Sequence, residues 1–576
     1  MSKMTANSQA QRWFEETFGT SIRAHQIETQ TQFPKSLIKE AELVVTNAGV
    51  ADLIAKWQDE DGKSKTGRKE MISIRALLTL MLMHVREGKG VLFSEISNTL
   101  ANRLDDQGRL SLGITQHEGR QEDWYDRLAR AVRRLMKLVD PLPGARRKIP
   151  TAGEYAKILA NRDPVESARK QKRLDLLCNQ LVEGSVLVLP RDVRRKFRGN
   201  VALDATFFAM HGKLGNPRRH KEDHKDRNSI NYDAGWYTRD GDHDGERSLK
   251  NGSNRWGLEL EIATMTANKP GVKADFPLLA IGVGAHLPGH IKLAGKRMFE
   301  SIVARGYERG YVTADLAYLP NSKEDELQGP LLAMGYTPVF DYKKGQFGKQ
   351  AHYDHAIQVD GQWYVEHIPK ELVNAVETYL AAPGKTREEK AAAKLLLEQR
   401  RTAREVYRLK PKGVRRPDGS QQYMYPGAGS YVAFDEVTGE LLPSLTKRTV
   451  VIPLYVGLKF GQKFAHRGKP WIEHYGLRST VEAFNSFVKD TEHEDMGNPA
   501  KRRARGNTFA YVATTLAVVS ANLRKIFRFF QDLMSEAPKH SKNKHERFKP
   551  VDTHNVVSPA AATAVGGAVP APPTRI

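Results

Sequence analysis

The spacing of hydrophobic positions changes near residue 200, and that change divides the chain. Before it, Ile74, Leu77, Leu78, Met81, Leu82 and Val85 recur at helical spacing and stop at Gly88 and Gly90. Ser94 is placed to cap a short helix bearing Ile96, Leu100 and Leu104, and a third, amphipathic helix is predicted over Gln121–Val139. Residues 1 to 60 mix polar and apolar positions without a strong period. Beyond Asn200 the period shortens. Residues 201–210 form an apolar strand pattern interrupted by one carboxylate, Asp204, and 256–265 alternate as a second strand. Residues 276–284 predict a third strand, 291–305 a helix, and 310–315 a fourth strand that again ends on a carboxylate, Asp315; 336–340 predict a fifth. This order predicts a mixed sheet with helices packed on it, an α/β fold.

After Asp341 the pattern reads as an inserted piece: a hairpin around Asp360-Gly361, a charged helix over 387–409, a Gly/Pro-rich stretch and an apolar strand over 449–456. From Lys539 the tail is basic and then rich in Ala, Pro, Val and Gly, with little to bury, so disorder is expected there. The divisions are an N-terminal segment (1–62), a helical region (63–195), a first part of the sheet domain (196–345), the insertion (346–465), a second part (466–535) and the tail (536–576).

Composition narrows the partners. The 576 residues are 40% hydrophobic and 27% charged, enough for two or three domains, and 90 Lys and Arg against 67 Asp and Glu leave a net charge of +23. That excess favours a polyanion, with nucleic acid ahead of an acidic membrane surface. One cysteine, Cys178 in an apolar run, excludes an intramolecular disulfide and a Cys-based zinc site, and it fits a reducing compartment. No apolar leader is visible and residues 508–523 are too short to span a bilayer, so a cytoplasmic protein without a membrane partner is expected. The helix over Gln121–Val139 carries Arg127, Arg130, Arg133, Arg134 and Lys137; either it belongs to a DNA-reading helical module, or it is a packing helix with a solvated face.

The chemistry concentrates in residues 474–489. At about 100° per residue, Tyr475, Arg478, Glu482, Asn485 and Lys489 fall within a polar arc of roughly 80°, opposite Leu477, Val481, Phe484 and Val488. On its own this is an amphipathic helix with an ordinary Arg478–Glu482 pair. The spacing Tyr475-x2-Arg478-x3-Glu482-x6-Lys489, however, resembles the signature of bacterial insertion-sequence transposases of the DDE class. The strand around Asp204 and the strand end at Asp315 are similar to that family's two aspartate strands. The resemblance covers about residues 196–345 and 466–535.

It implies a ribonuclease H-like mixed sheet core interrupted by an inserted α+β subdomain, with a mainly helical N-terminal region and a disordered tail. It also implies cleavage at transposon ends and strand transfer. Asp204, Asp315 and Glu482 would be catalytic and hold two Mg²⁺ ions, or Mn²⁺ in their place. Tyr475, Arg478 and Lys489 would contact DNA, and the basic run Lys501, Arg502, Arg503 is a further candidate phosphate contact. The partners implied are double-stranded DNA at transposon ends and in the target, with a homodimer or larger assembly on DNA and a nucleoid-associated location. Two alternatives stay open: a nuclease on the same core that never joins strands, and a catalytically silent DNA-binding relative. Trp363 either packs a core or stacks on a flipped base. Asp240, Asp242 and Asp244 begin like a calcium loop, but Asn251 stands where a bidentate Glu belongs, and His220, His224 and His243 have no metal-ligand spacing.

Overall fold

The computed structural model describes residues 32–535, apart from 63–69, 115–119, 143–148, 213–228, 238–254, 316–317, 320–322, 324, 344, 383–385, 436–437, 439, 444 and 504, together with a few positions between 12 and 19. The expected linker 63–69, the tail 536–576, the Asp240–Asn251 loop and the three histidines of that excursion lie outside the described residues. Residues 1–529 form one compact unit and 530–576 a second, of which 530–535 are described, as helix.

The five strand patterns of the sequence, with one short strand it did not predict (β2), become one mixed sheet: β1 (Val201–Ala209), β2 (Gly235–Tyr237), β3 (Arg255–Met265), β4 (Ala280–His286), β5 (Tyr311–Ala314) and β6 (Thr337–Phe340). β3 runs antiparallel to β1 on one side and to β2 and β4 on the other. β1, β5 and β6 then follow as parallel neighbours. The parallel half needs crossovers, and the chain supplies helices for them.

The helices that bear on the site are α1 (Lys35–Asn47), α2 (Val50–Glu60), α3 (Ile74–Arg86), α4 (Gln121–Val139), α5 (Pro164–Val186), α6 (Ile291–Ala304), α7 (Arg387–Arg404), α8 (Lys469–Tyr475), α9 (Ser479–Val488) and α10 (Asn507–Ser535). α3 is started by Ser73, whose Oγ accepts from the Ala76 N–H, and it is buried from Ala76 to Val85. The next short helix starts at Phe93 with Leu92 before it, so Ser94 sits inside the first turn and caps nothing. Phe93 packs edge-on against Tyr125 and Phe509, so ring packing rather than cap chemistry sets that start. Cys178 is buried in α5 and burial pushes its thiol up, which makes it an inert core residue.

One apolar core runs through the helices and the sheet: Leu77, Leu135, Leu177, Ala202, Leu260, Val481, Phe484 and Leu516 all belong to it. The outer edge of β4 is closed by side chains. The Asn179 carboxamide on α5 both donates to and accepts from the Val283 backbone, and Asn522 on α10 does the same at Ala280. The insertion has a core of its own, including Trp363, Tyr364 and Tyr407. Its sheet contains β7 (Lys349–Tyr353), β8 (Ala356–Val359) and β9 (Gln362–Val365). β8 and β9 are joined by Asp360 and Gly361 at φ 51° and 79°, the two left-handed positions of a tight hairpin turn. No described helix is long and apolar enough to cross a membrane.

Candidate active site

The register of the parallel strands builds the site. Leu203 on β1 is level with Ala314 on β5, and Ala314 with Phe340 on β6. One position further come Asp204, within β1, and Asp315 and Asp341, the first residues beyond the ends of β5 and β6. Sheet side chains alternate faces, so equal register gives such residues one face. Two of the three were legible as strand carboxylates; Asp341 was not singled out.

α9 lies over β1 and brings the fourth carboxylate. Val481, Phe484 and Val488 are buried on one side of α9 and Glu482 stands on the other, about half exposed. Asn485, one turn on, donates from Nδ2 to Asp204 Oδ2 at 2.9 Å. Glu482 Oε1 is 2.9 Å from Arg478 Nη1, so this carboxylate is engaged by a guanidinium. Arg478 in turn feels Glu482, Asp315 and Asp204. Among the described residues no group of three His, Cys, Asp or Glu side chains is arranged to hold a metal ion. The sequence pattern suggested three convergent ligands; here Glu482 is drawn to Arg478 instead.

Asp204 is the most perturbed carboxyl of the site. Burial, then the negative charges of Glu261 and Asp315, push it up to about 7, against the pull of Arg478. Glu261 comes from β3, level with Ala205, and so stands on the opposite face from Asp204. It is fully buried, accepts from the Tyr318 hydroxyl at 2.5 Å and lies 2.7 Å from His286 Nε2. Burial alone would lower His286, but the neighbouring Glu261 and Glu259 oppose it and the net shift is upward. The signal available in sequence was two glutamates at alternate positions of an otherwise apolar strand.

The segment expected to be one helix is three pieces. α8 ends at Tyr475, Gly476–Arg478 form a 3₁₀ turn, and α9 starts at Ser479, whose Oγ donates to the Gly476 carbonyl. Gly476 is a poor helix former and tightens the chain where a side chain would favour continuation. Tyr475 is stacked on Trp471, ring centroids 4.6 Å apart and planes within 15°, and burial pushes its hydroxyl up to about 12. Arg478 lies 5.6 Å from the Tyr475 ring centroid. Lys489 follows the last turn of α9; burial lowers its pKa while Asp204 opposes the shift.

The basic run is placed differently from the carboxylates. Lys501 Nζ donates to the Gly88 and His493 carbonyls, both at 2.9 Å. Arg502 is buried over Phe208, and burial lowers it to about 10. Of the three, Arg503 is the exposed one. Trp363 is buried in the core of the insertion.

Beside the row of aspartates, Asp341 Oδ1 is 2.6 Å from Nε2 of His466, a fully buried ring. Burial pushes His466 down, so the neutral ring donates through Nε2 to the Asp341 carboxylate. Trp471 joins this corner to the helix segment by donating its indole N–H to the Phe340 carbonyl and to Gln462 Oε1. No protein-family model matches the chain, and no curated protein matches it.

Proposed function

We propose that the chain is a DDE-class DNA transposase that cuts at transposon ends and joins the freed 3′-hydroxyl to target DNA. The observation that carries the reading is the level placement of Asp204 and Asp315 on adjacent parallel strands, with the Glu482 helix tied to Asp204 through Asn485. Three antiparallel strands continued by two parallel ones, with these carboxylates at the middle, is the arrangement a ribonuclease H-like core requires. The net charge of +23 suits a DNA partner held as a dimer or larger assembly and a nucleoid-associated location.

The donor set fits a hard divalent cation in kind: carboxylate oxygens, with Asp204 raised by neighbouring negative charge that a cation would offset. Asp204 and Asp315 would hold Mg²⁺ or Mn²⁺, and Glu482 would join them on leaving Arg478. Such ions, taken as a pair, activate an oxygen nucleophile and steady the leaving oxygen. Arg478, released from Glu482, and Lys489 supply positive charge for the phosphate, and Asn485 keeps the Asp204 carboxylate in one orientation. Water attacks phosphorus, the P–O3′ bond breaks and the leaving 3′-oxygen takes a proton; the released 3′-hydroxyl then attacks a target phosphate, giving up its proton as the target P–O3′ bond breaks and the departing target 3′-oxygen is protonated, with no covalent protein–DNA intermediate.

The Glu482–Arg478 pair favours one second reading, a catalytically silent DNA-binding relative. Cleavage and joining of DNA bearing the element's ends, with Mg²⁺ or Mn²⁺, separates the two. Asp204→Asn, Asp315→Asn and Glu482→Gln should each abolish chemistry while DNA binding survives. Activity persisting in any one removes that residue from the site, and a wild-type protein that binds ends without cutting supports the silent reading.

A further inference from the structure

Asn485 lies in the polar arc of the signature helix but outside its four signature positions. It is 8% exposed, among the buried Val481, Phe484 and Val488 of α9. An apolar residue would pack that join between helix and sheet without burying a polar group. The Asn485 carboxamide turns Nδ2 toward Asp204 and so Oδ1 away from it, the orientation that suits the charged form of Asp204, which only accepts. That Oδ1 is buried and has no hydrogen-bond partner among the described residues. A buried carbonyl oxygen without a donor is costly in a purely structural brace. It is an acceptor that the folded protein leaves unanswered at the join of α9 and β1.

We propose that Asn485 is a positioning residue of the candidate site: its Nδ2 fixes the Asp204 carboxylate in one orientation against α9. The inference rests on the metal-dependent reading of Asp204 given above. It names a side-chain hydrogen bond that ties the Glu482 helix to strand β1 at Asp204.

The test is Mn²⁺ binding by calorimetry to the full chain without DNA, with thermal unfolding measured in parallel with and without Mn²⁺. The proteins are wild type, Asp204→Asn, Asn485→Leu, which keeps side-chain volume without polar atoms, and Asn485→Ser, which restores a hydroxyl. Affinity for a random-sequence duplex is the control. Asn485→Leu should weaken Mn²⁺ binding about tenfold or more, the range seen when groups that orient a metal ligand are removed. Asn485→Ser should recover part of that loss, and duplex affinity should stay at the wild-type value. Wild-type Mn²⁺ affinity in Asn485→Leu, with only the melting temperature changed, overturns the inference and leaves a structural brace. If Mn²⁺ binding is lost in Asp204→Asn but kept in Asn485→Leu, the inference alone fails. If wild type and Asp204→Asn bind Mn²⁺ alike, or neither binds, the metal reading of the site fails and takes the inference with it. Should Asn485→Leu not fold, Asn485→Ser carries the comparison, with unchanged affinity there counting against the proposal.

Discussion

At Asp204, burial and two neighbouring carboxylates oppose ionisation, and the sign of the effect on stability follows. Its folded pKa of about 7 lies above the ordinary aspartate value of 3.8, so between those values the native state binds more protons than the unfolded one. Stability contributed by this group is therefore lost as pH rises toward 7 and regained as pH falls toward 4. Asp204→Asn is expected to raise stability by about 2 kcal/mol at pH 8, with the gain fading by pH 4; melting curves at the two pH values check it. Arg478 gives a second prediction. Its pair with Glu482 is half exposed, and such i,i+4 pairs contribute about 0.5 kcal/mol or less. Arg478→Ala should thus barely move the melting temperature yet cut strand cleavage at least tenfold, and equal small effects on both would make the pair merely structural. At this scale the sequence singled out Asp204, Asp315 and Glu482 as candidates, because each breaks an apolar pattern or sits in a spaced signature. It hid Asp341, Glu261 and His286, whose partners are remote in the chain and meet only through strand register.

At the scale of elements, most strands and α4 were legible because their periodicity is enforced by burial. α1 and α2 were missed: each buries only a narrow stripe, Ile38, Ala41, Val44 and Val45 in α1, and the rest of the element is polar. That stripe meets α5 closely. A Cβ on Gly184 would lie 2.3 Å from the Val44 carbonyl oxygen, backbone that cannot rotate away. Gly184→Ala, which would favour an isolated helix by about 1 kcal/mol, should instead destabilise the protein by about 3 kcal/mol, as read by denaturant unfolding. The break between α8 and α9 was also hidden, since the 100° arc assumed one continuous helix. Trp471 holds that break in place through its stack on Tyr475 and its indole hydrogen bonds. Trp471→Ala should cost about 3–5 kcal/mol. Catalytic loss beyond what the lowered melting temperature explains would show that the stack orients Arg478.

For the whole molecule, the shared core means that the sheet domain and the helices before it are completed together. Asn522, fully buried, satisfies both backbone groups of Ala280 and reaches Ser185 Oγ with the same amide. Asn522→Ala strands those groups and is expected to cost about 2–4 kcal/mol and to raise self-association, measured by light scattering after partial unfolding. The two carboxamides come from far apart in the chain, Asn179 before β4 and Asn522 long after it. During synthesis, Val283 of β4 can be met by Asn179 of α5 and the Ile281 carbonyl soon afterwards by Arg305, whereas both backbone groups of Ala280 wait for a residue made more than two hundred positions later. A nascent or truncated chain ending before α10 therefore carries an open strand edge, the feature chaperones meet and aggregates grow from. Completion of this strand edge waits for the last of the described helices.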